Sequence, residues 1–465
     1  MLIKEILKQE ASAQEITVSG WVRTKRDMKN FAFIELNDGS CFSSIQCIFE
    51  RVSGSEEGAV KAGREKIIAD ISTGCSVEVK GTLVRSPSDG QALEVQGRDI
   101  VLLGSAENYP LQKKGHSLEF LREIAHLRAR TNTIGAVARI RSRLAFAVHN
   151  FFQGRGFQYL TTPLITTQDA EGAGAMFQVT TLNLDELAKA GKAPDYTRDF
   201  FGKKAFLTVS GQLEGESYAA ALSRIYTFGP TFRAERSDTA RHLAEFWMIE
   251  PEMSFAHLED DMALAEDFLK YLCSDLLKNC TDDLEFFNTR VQKGLLGTLQ
   301  NIADSPFARI TYTDALHELE KSKQSFEFTP FWGCDLQSEH ERFLTEQIAK
   351  GPLIVTDYPK EIKAFYMKAN EDGKTVRAMD LLVPRLGEII GGSEREDNLS
   401  LLEQRMEALG MDTAPYRWYL DLRRYGSVAH AGFGLGFERL VQYFTGMTNI
   451  RDVIPYPRAL AYAEF

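Results

Sequence analysis

Apolar and polar residues alternate in short runs through the first hundred or so residues. The runs are Glu15-Ile-Thr-Val-Ser-Gly-Trp-Val, Phe31-Ala-Phe-Ile-Glu-Leu, Ser44-Ile-Gln-Cys-Ile-Phe, Ser76-Val-Glu-Val-Lys-Gly-Thr-Leu-Val and Ala92-Leu-Glu-Val. A period of two predicts five strands, and the stretch near Glu56 to Ile71 carries helical spacing instead. A linker follows, and from Thr131 to Phe152 the apolar residues fall at helical spacing before Gly154-Arg-Gly-Phe-Gln-Tyr-Leu-Thr-Thr-Pro163. Later strands are expected at Phe206 to Val209, Ile225 to Phe228, Trp247 to Glu250, Ala378 to Leu382 and Glu388 to Gly391. The stretches between them are too long and uneven for alternating strand and helix, so an antiparallel sheet flanked by helices is expected. The chain thus divides into 1–103, a hinge over 104–130 and a larger domain over 131–465. The segment 280–328 reads as a peripheral helical insert and 183–199 as a surface loop.

Five strands with one helix after the third is the order of an OB barrel, whose strand face binds single-stranded nucleic acid or sugars. The fold class is therefore α+β, a β-barrel followed by a larger antiparallel domain. Bulk composition narrows the function only a little: 465 residues with 44% hydrophobic and 26% charged side chains are those of a folded globular protein. A net charge of −11 argues against non-specific coating of nucleic acid. The first hundred residues are nearly neutral, so that end repels a polyanion least. The six cysteines form no C-x-x-C pair and have no histidine at ligand spacing, which leaves buried free thiols as the expectation. The opening Met1-Leu-Ile-Lys-Glu-Ile-Leu-Lys-Gln lacks the apolar core of a signal peptide, and no run reaches the length of a membrane span. A cytoplasmic protein without a membrane partner is expected.

No G-x-x-x-x-G-K-[ST] occurs, so any nucleotide must be held by other means. Phe232-Arg233-Ala-Glu235 runs through Arg236-Ser-Asp-Thr-Ala-Arg241-His242 into Leu-Ala-Glu245-Phe246-Trp-Met-Ile-Glu250, which reads as two antiparallel strands joined by a cationic loop. Further on, His430-Ala-Gly432-Phe-Gly434-Leu-Gly436-Phe-Glu-Arg439-Leu is a glycine-rich strand entering a helix that carries an arginine. Two arginines beside tight backbone can clamp a polyphosphate. Singly, each has a plain reading as solvated surface charge. In this order, with the helix and strand ending at Pro163, they resemble the three motifs of class II aminoacyl-tRNA synthetases. The barrel ahead of them resembles the subgroup that handles aspartate, asparagine and lysine.

That resemblance implies ATP and Mg²⁺, an aminoacyl-adenylate intermediate and a homodimer formed through the first motif. It implies that Arg233 contacts the α-phosphate and the amino-acid carboxylate, that Glu235 meets the adenine with Phe246 stacked on it, and that Arg439 pairs with the γ-phosphate. Arg241 or His242 would close over the pyrophosphate. Asp380 and Glu388 would hold Mg²⁺, to which oxygen ligands are suited. Glu171, Gln212 and Glu250 would receive the substrate ammonium. In the barrel, Phe33 and Gln46 would stack on and hydrogen-bond the central anticodon base, with Arg26 nearby. The plain reading of Phe33 is a core aromatic.

The segment Ser210-Gly-Gln212-Leu-Glu-Gly215-Glu216 stands where the aspartate enzymes have S-P-Q-L-Y-K-Q. Their lysine is replaced by Gly215, and a carboxylate follows. Arg395 can donate to a side-chain oxygen while Glu216 accepts from an amide NH₂ and repels a carboxylate, so asparagine, with tRNA(Asn), is the expected pair. One unpaired buried charge costs on the order of 2–3 kcal/mol, enough together with a second penalty to reject aspartate. An aspartate-specific member of the subgroup is the first alternative. A synthetase-like ligase making asparagine from aspartate and ammonia would lack the barrel, and an RNA-binding derivative would have no use for a full phosphate clamp.

Overall fold

The computed structural model describes the chain apart from residues 12, 52–57, 88–89, 113–114, 171–175 and 238. It forms two compact units, Met1–Arg139 and Ile140–Phe465. In the first, β1 (Glu15–Asp27), β2 (Phe31–Asn37), β3 (Ile45–Glu50), β4 (Ser76–Arg85) and β5 (Leu93–Gly104) close a barrel in the order β1-β2-β3-β5-β4. Strict alternation makes it possible: Ala32, Ile34 and Leu36 point into the core while Phe31 and Phe33 lie on the opposite face. The helix Gly58–Asp70, between β3 and β4, contributes Ile68 to that core. Lys25 Nζ donates to the carbonyls of Ile68 and Ala69 near the end of this helix, at 2.8 and 3.3 Å, where a cation also meets the negative end of the helix dipole.

The second unit is built on a main sheet of eight strands and a small one of three. After the long helix Asn132–Gly154 come β6 (Gln158–Leu160), β7 (Ile165–Thr166), β8 (Gln178–Val179), β9 (Ala205–Leu207), β10 (Arg224–Phe232) and β11 (Glu245–Ser254). Then follow β12 (Ala308–Thr311), β13 (Leu353–Pro359), β14 (Thr375–Val383), β15 (Gly387–Glu394) and β16 (His430–Gly436). The main sheet runs β12-β13-β14-β15-β16-β11-β10-β6, and β7-β9-β8 make a separate small sheet.

Two features depart from the pattern reading. The main sheet is antiparallel only across its centre, because β6 joins β10 and β12 joins β13 in parallel, each at an edge fed by a preceding helix. The strand expected at Phe206 to Val209 pairs in the small sheet instead of the main one. Within 280–328, the helices Thr281–Arg290, Leu295–Asp304 and Tyr312–Lys321 are accompanied by β12, which the sequence pattern did not reveal. The stretch 183–199 contains the short helix Leu184–Lys189, capped by Asn183.

The helix Leu258–Asn279 buries Leu258, Met262, Ala265, Phe268, Leu269 and Leu272 along one stripe, which packs on β14, β15 and β16. Phe152 bridges this helix and the sheet, with its ring 4.8 Å from those of both Phe268 and Tyr226. The cysteines are free, and no helix among the described residues is long and apolar enough to cross a membrane.

Candidate active site

A pocket opens on the face of the main sheet formed by β11, β15 and β16. On β11 the two-residue period brings Met248, Glu250 and Glu252 to the same face, and all three line the pocket. Gly391 and Gly392 of β15 and Gly434 of β16 form its floor. The glycines are there because side chains will not fit. A Cβ at the neighbouring Gly432 would lie 2.4 Å from the Pro251 carbonyl oxygen and 2.5 Å from the Glu252 carboxyl. At the mouth of β15, Gly387 has φ +86°, and a Cβ there would collide with Glu341.

The loop between β10 and β11 brings the first cations. Arg233 continues the hairpin, its N–H donating to the Ala244 carbonyl at 3.0 Å, and its guanidinium lies 5.4 Å from the centre of the Phe246 ring while lining the pocket. Glu235 and His242 face each other at 3.9 Å, both half-exposed. Arg241 donates to Ser338 Oγ, and burial, then the neighbouring Arg439, holds its pKa below the usual guanidinium value. Arg439, on the helix Phe437–Thr445 that follows β16, donates to the Glu388 carbonyl at 3.1 Å and lies 3.6 Å from its carboxylate. Arg233 and Arg241 thus come from one loop and Arg439 from the helix after β16; Arg233 lines the pocket, while Arg439 lies beside its lining residue Glu388 with Arg241 as a neighbour. Glu438, beside Arg439, ties that helix into the core: it accepts from Arg141 at 2.6 Å and from the Trp247 N–H at 2.8 Å.

Asp380 and Glu388 converge across the β14–β15 pair. A Cβ on Gly391 would lie 3.1 Å from Glu388 Oε1 and 3.4 Å from Asp380 Oδ1, so both carboxylates overhang the same glycine. Lys363 Nζ donates to Asp380 Oδ2 at 2.7 Å. Glu341 is a third carboxyl here, pushed up to about 8 by burial and by the charges of Glu388 and Asp380. Among the described residues no three metal-binding side chains converge tightly enough to hold an ion by themselves. Two carboxylates over one glycine suit an ion such as Mg²⁺, which keeps much of its coordination for phosphate and water.

On the other side of the pocket, Glu250 accepts from Ser210 Oγ, from the Gly211 N–H at 3.0 Å and from Thr227 Oγ1 at 2.8 Å. Arg395 donates to both oxygens of Glu252, at 2.6 and 3.3 Å, and to Ser393 Oγ at 2.8 Å. Its guanidinium lies 5.2 Å from the Tyr366 ring. Burial pushes the Glu252 carboxyl up to about 7, against the pull of Arg395. Sequence reasoning missed Glu252, although its place two residues beyond Glu250 on a strand was the available signal. It missed Lys363 as well, for which the sequence offered none.

Glu216 requires a correction. It is only 1% exposed and does not line the pocket. Its carboxylate accepts from Tyr419 OH at 2.9 Å, Arg423 Nη2 at 2.9 Å and Gln212 Nε2 at 3.1 Å, and His430 Nε2 lies 3.0 Å away. A direct bond from a substrate amide to Glu216 is therefore not the arrangement present, because the acceptor sites are already taken. Gln212 is the side chain between Glu216 and the pocket. Glu171 lies outside the described residues.

In the barrel, Phe33 sits on the outer face and not in the core, with the Arg26 guanidinium 4.7 Å from its ring centre. Gln46, on β3, registers with Glu35 on the same sheet face, and both are half-buried.

The chain matches known proteins along nearly its whole length. Residues 117–460 match the family model for class II tRNA synthetases (D, K and N), and residues 16–103 match the OB-fold nucleic acid binding domain. The chain is 62% identical to an asparagine–tRNA ligase of Treponema denticola, across 100% of this chain and 99% of the relative. It is 54% identical to the asparagine–tRNA ligase of Borreliella burgdorferi, across 98% of each. Among solved structures, the asparaginyl-tRNA synthetase of Pyrococcus horikoshii complexed with asparaginyl-adenylate superposes with a TM-score of 0.86 at 32% identity, covering 100% of this chain and 99% of that one.

Proposed function

The chain belongs to the class II tRNA synthetases of the aspartate, lysine and asparagine group, and from that premise we propose how its residues divide the work of the reaction. It joins asparagine to tRNA through an asparaginyl-adenylate. The observation that carries this is the full-length identity to asparagine ligases, 62% in one case, in a chain whose pocket is lined by Arg233 and Arg395 together with Gln212, Glu250 and Glu252.

The substrate α-carboxylate is already ionised at neutral pH and attacks the α-phosphorus in line, so no general base is needed. Arg233 aligns that carboxylate with the α-phosphate, and Phe246 stacks on the adenine beside Glu235. Arg439, with Arg241 or His242, neutralises charge on the leaving pyrophosphate. Asp380 and Glu388 are the residues that would hold Mg²⁺, which screens phosphate charge when bound. Glu250 and Gln212 receive the ammonium group, a role we also assign to Glu171. Arg395, steadied by Glu252 and Tyr366, donates to the side-chain amide oxygen. Glu216 acts from behind Gln212 as a fixed negative charge that disfavours aspartate.

Phe33, Gln46 and Arg26 receive the anticodon on the barrel, where an exposed aromatic under a cation suits a stacked base. A homodimer is supported by β6 standing at the edge of the main sheet with Tyr159, Leu164 and Ile165 exposed near it. Free thiols fit a reducing cytoplasm. The test is ATP–pyrophosphate exchange with asparagine, aspartate and lysine offered separately. Exchange with asparagine alone is expected, and exchange with aspartate would void the roles given to Glu216 and Arg395.

A further inference from the structure

The segment between β8 and β9 ends in a tight turn of unusual composition. The Gly202 N–H donates to the Asp199 carbonyl at 2.9 Å and closes a four-residue turn with Phe200 and Phe201 at its two corners. An aspartate at the first position and a glycine at the last are what such a turn calls for, but its corners ordinarily hold polar residues, glycine or proline. Here Phe200 is 76% exposed and Phe201 45%, with their rings 4.8 Å apart and edge to face.

The turn is firmly held for a surface loop. The Asp199 carboxylate is buried and accepts from the Thr181 N–H at 2.8 Å, from Thr181 Oγ1 at 2.7 Å and from the Phe200 N–H at 2.8 Å. Just before it, Asp195 accepts from the Thr197 N–H at 3.1 Å and from Thr197 Oγ1 at 2.6 Å. Nearby backbone and hydroxyl donors thus engage both acids, while Arg198, Lys203 and Lys204 are exposed. Residues 189–204 hold five basic and two acidic side chains, a balance of +3 in a chain of −11. Two bare rings among cations are what a single-stranded nucleic acid fits, with bases on the rings and phosphates on the cations.

We propose that the turn 199–202 docks the single-stranded 3′ end of tRNA, with Phe200 and Phe201 stacking on its bases and Lys203 and Lys204 meeting its phosphates. This rests on tRNA being the acceptor of the asparaginyl group. The place of the turn in the fold argues for the 3′ end over other parts of the tRNA. From Phe201 the chain runs through β9 to Ser210, which lines the pocket, a reach of no more than about 30 Å. The 3′ end is the part of a tRNA that must enter that pocket, because it takes up the amino acid there.

The experiment uses the full-length protein and its Phe200→Ala, Phe201→Ala and Lys203→Gln/Lys204→Gln variants. It measures the Kd for tRNA(Asn) and for the same tRNA lacking its unpaired 3′-terminal nucleotides, together with ATP–pyrophosphate exchange run without tRNA. We expect each phenylalanine variant to raise the Kd for intact tRNA by about tenfold, as for the loss of one stacked base, and to leave the Kd for truncated tRNA native. The double lysine variant should weaken intact tRNA and flatten the slope of log Kd against log salt by about 1.4. Exchange should stay native in all three, which separates loss of docking from loss of fold. A native Kd for intact tRNA in both phenylalanine variants overturns the proposal. An equal rise for intact and truncated tRNA also overturns it, since the contact then lies elsewhere on the tRNA. A changed oligomeric state with a native Kd assigns the turn to a second copy of the chain and overturns it too. A native protein that charges no tRNA overturns the underlying assignment instead.

Discussion

Replacing Asp261 by asparagine should make the catalytic unit more stable, and increasingly so as pH rises. Asp261 lies on the inner face of the helix Leu258–Asn279, is 0% exposed, and neither of its oxygens has a hydrogen-bond partner among the described residues. Its carboxyl packs against the glycine strand, since a Cβ on Gly392 would lie 2.7 Å from Asp261 Oδ2. Burial raises its pKa well above the ordinary aspartate value, with Glu252 and Asp260 adding to the shift against the pull of Arg395. An acid raised in this way binds its proton more tightly folded than unfolded. Its cost is absent below the unfolded value and grows as pH climbs toward the folded one, by about 1.4 kcal/mol per pH unit. Asparagine has nearly the same shape and no proton to lose, so Asp261→Asn removes that slope. The advantage of the variant should therefore widen between about pH 6 and about pH 8.5. Equilibrium urea unfolding of both proteins at the two pH values measures it. An advantage that stays constant or shrinks with pH would refute the view that Asp261 is a neutral acid in the core.

Other perturbations test other parts of the molecule. Phe33→Ala should raise KM for tRNA by about tenfold, in line with about 1–3 kcal/mol for one stacked base, as measured by aminoacylation at varied tRNA concentration. Glu438→Gln removes the charge that pairs with Arg141 at 2.6 Å and should cost about 3 kcal/mol of stability, read from the same urea titration. Asp380→Asn and Glu388→Gln should each raise the Mg²⁺ concentration needed for half-maximal pyrophosphate exchange, whereas an unchanged Mg²⁺ dependence would move the ion elsewhere.

The residues proposed to hold the nucleotide could be singled out in the sequence because their spacing is local. Arg233, Glu235 and Phe246 belong to one hairpin, and Arg439 follows the glycine strand directly, so the order of residue types carried the geometry. The barrel was legible for the same reason, since a period of two fixes which side of each strand is apolar. Glu216 was expected to accept directly from the substrate amide, whereas the structure buries it outside the pocket lining. Nothing local reveals that Tyr419, Arg423 and His430, some two hundred residues away, would take up its lone pairs.

The sequence by itself determined the five-stranded barrel, the cationic hairpin and the glycine-rich strand, because each depends on side-chain period or on residues a few positions apart. Only the tertiary structure decided the parallel edges of the main sheet, the meeting of Asp380 with Glu388 over Gly391, and which carboxylates are spent on internal partners. Those outcomes depend on long-range packing that brings distant charges together in a space without water, where each must be paired or neutralised, and no sequence window contains both members of such a pair.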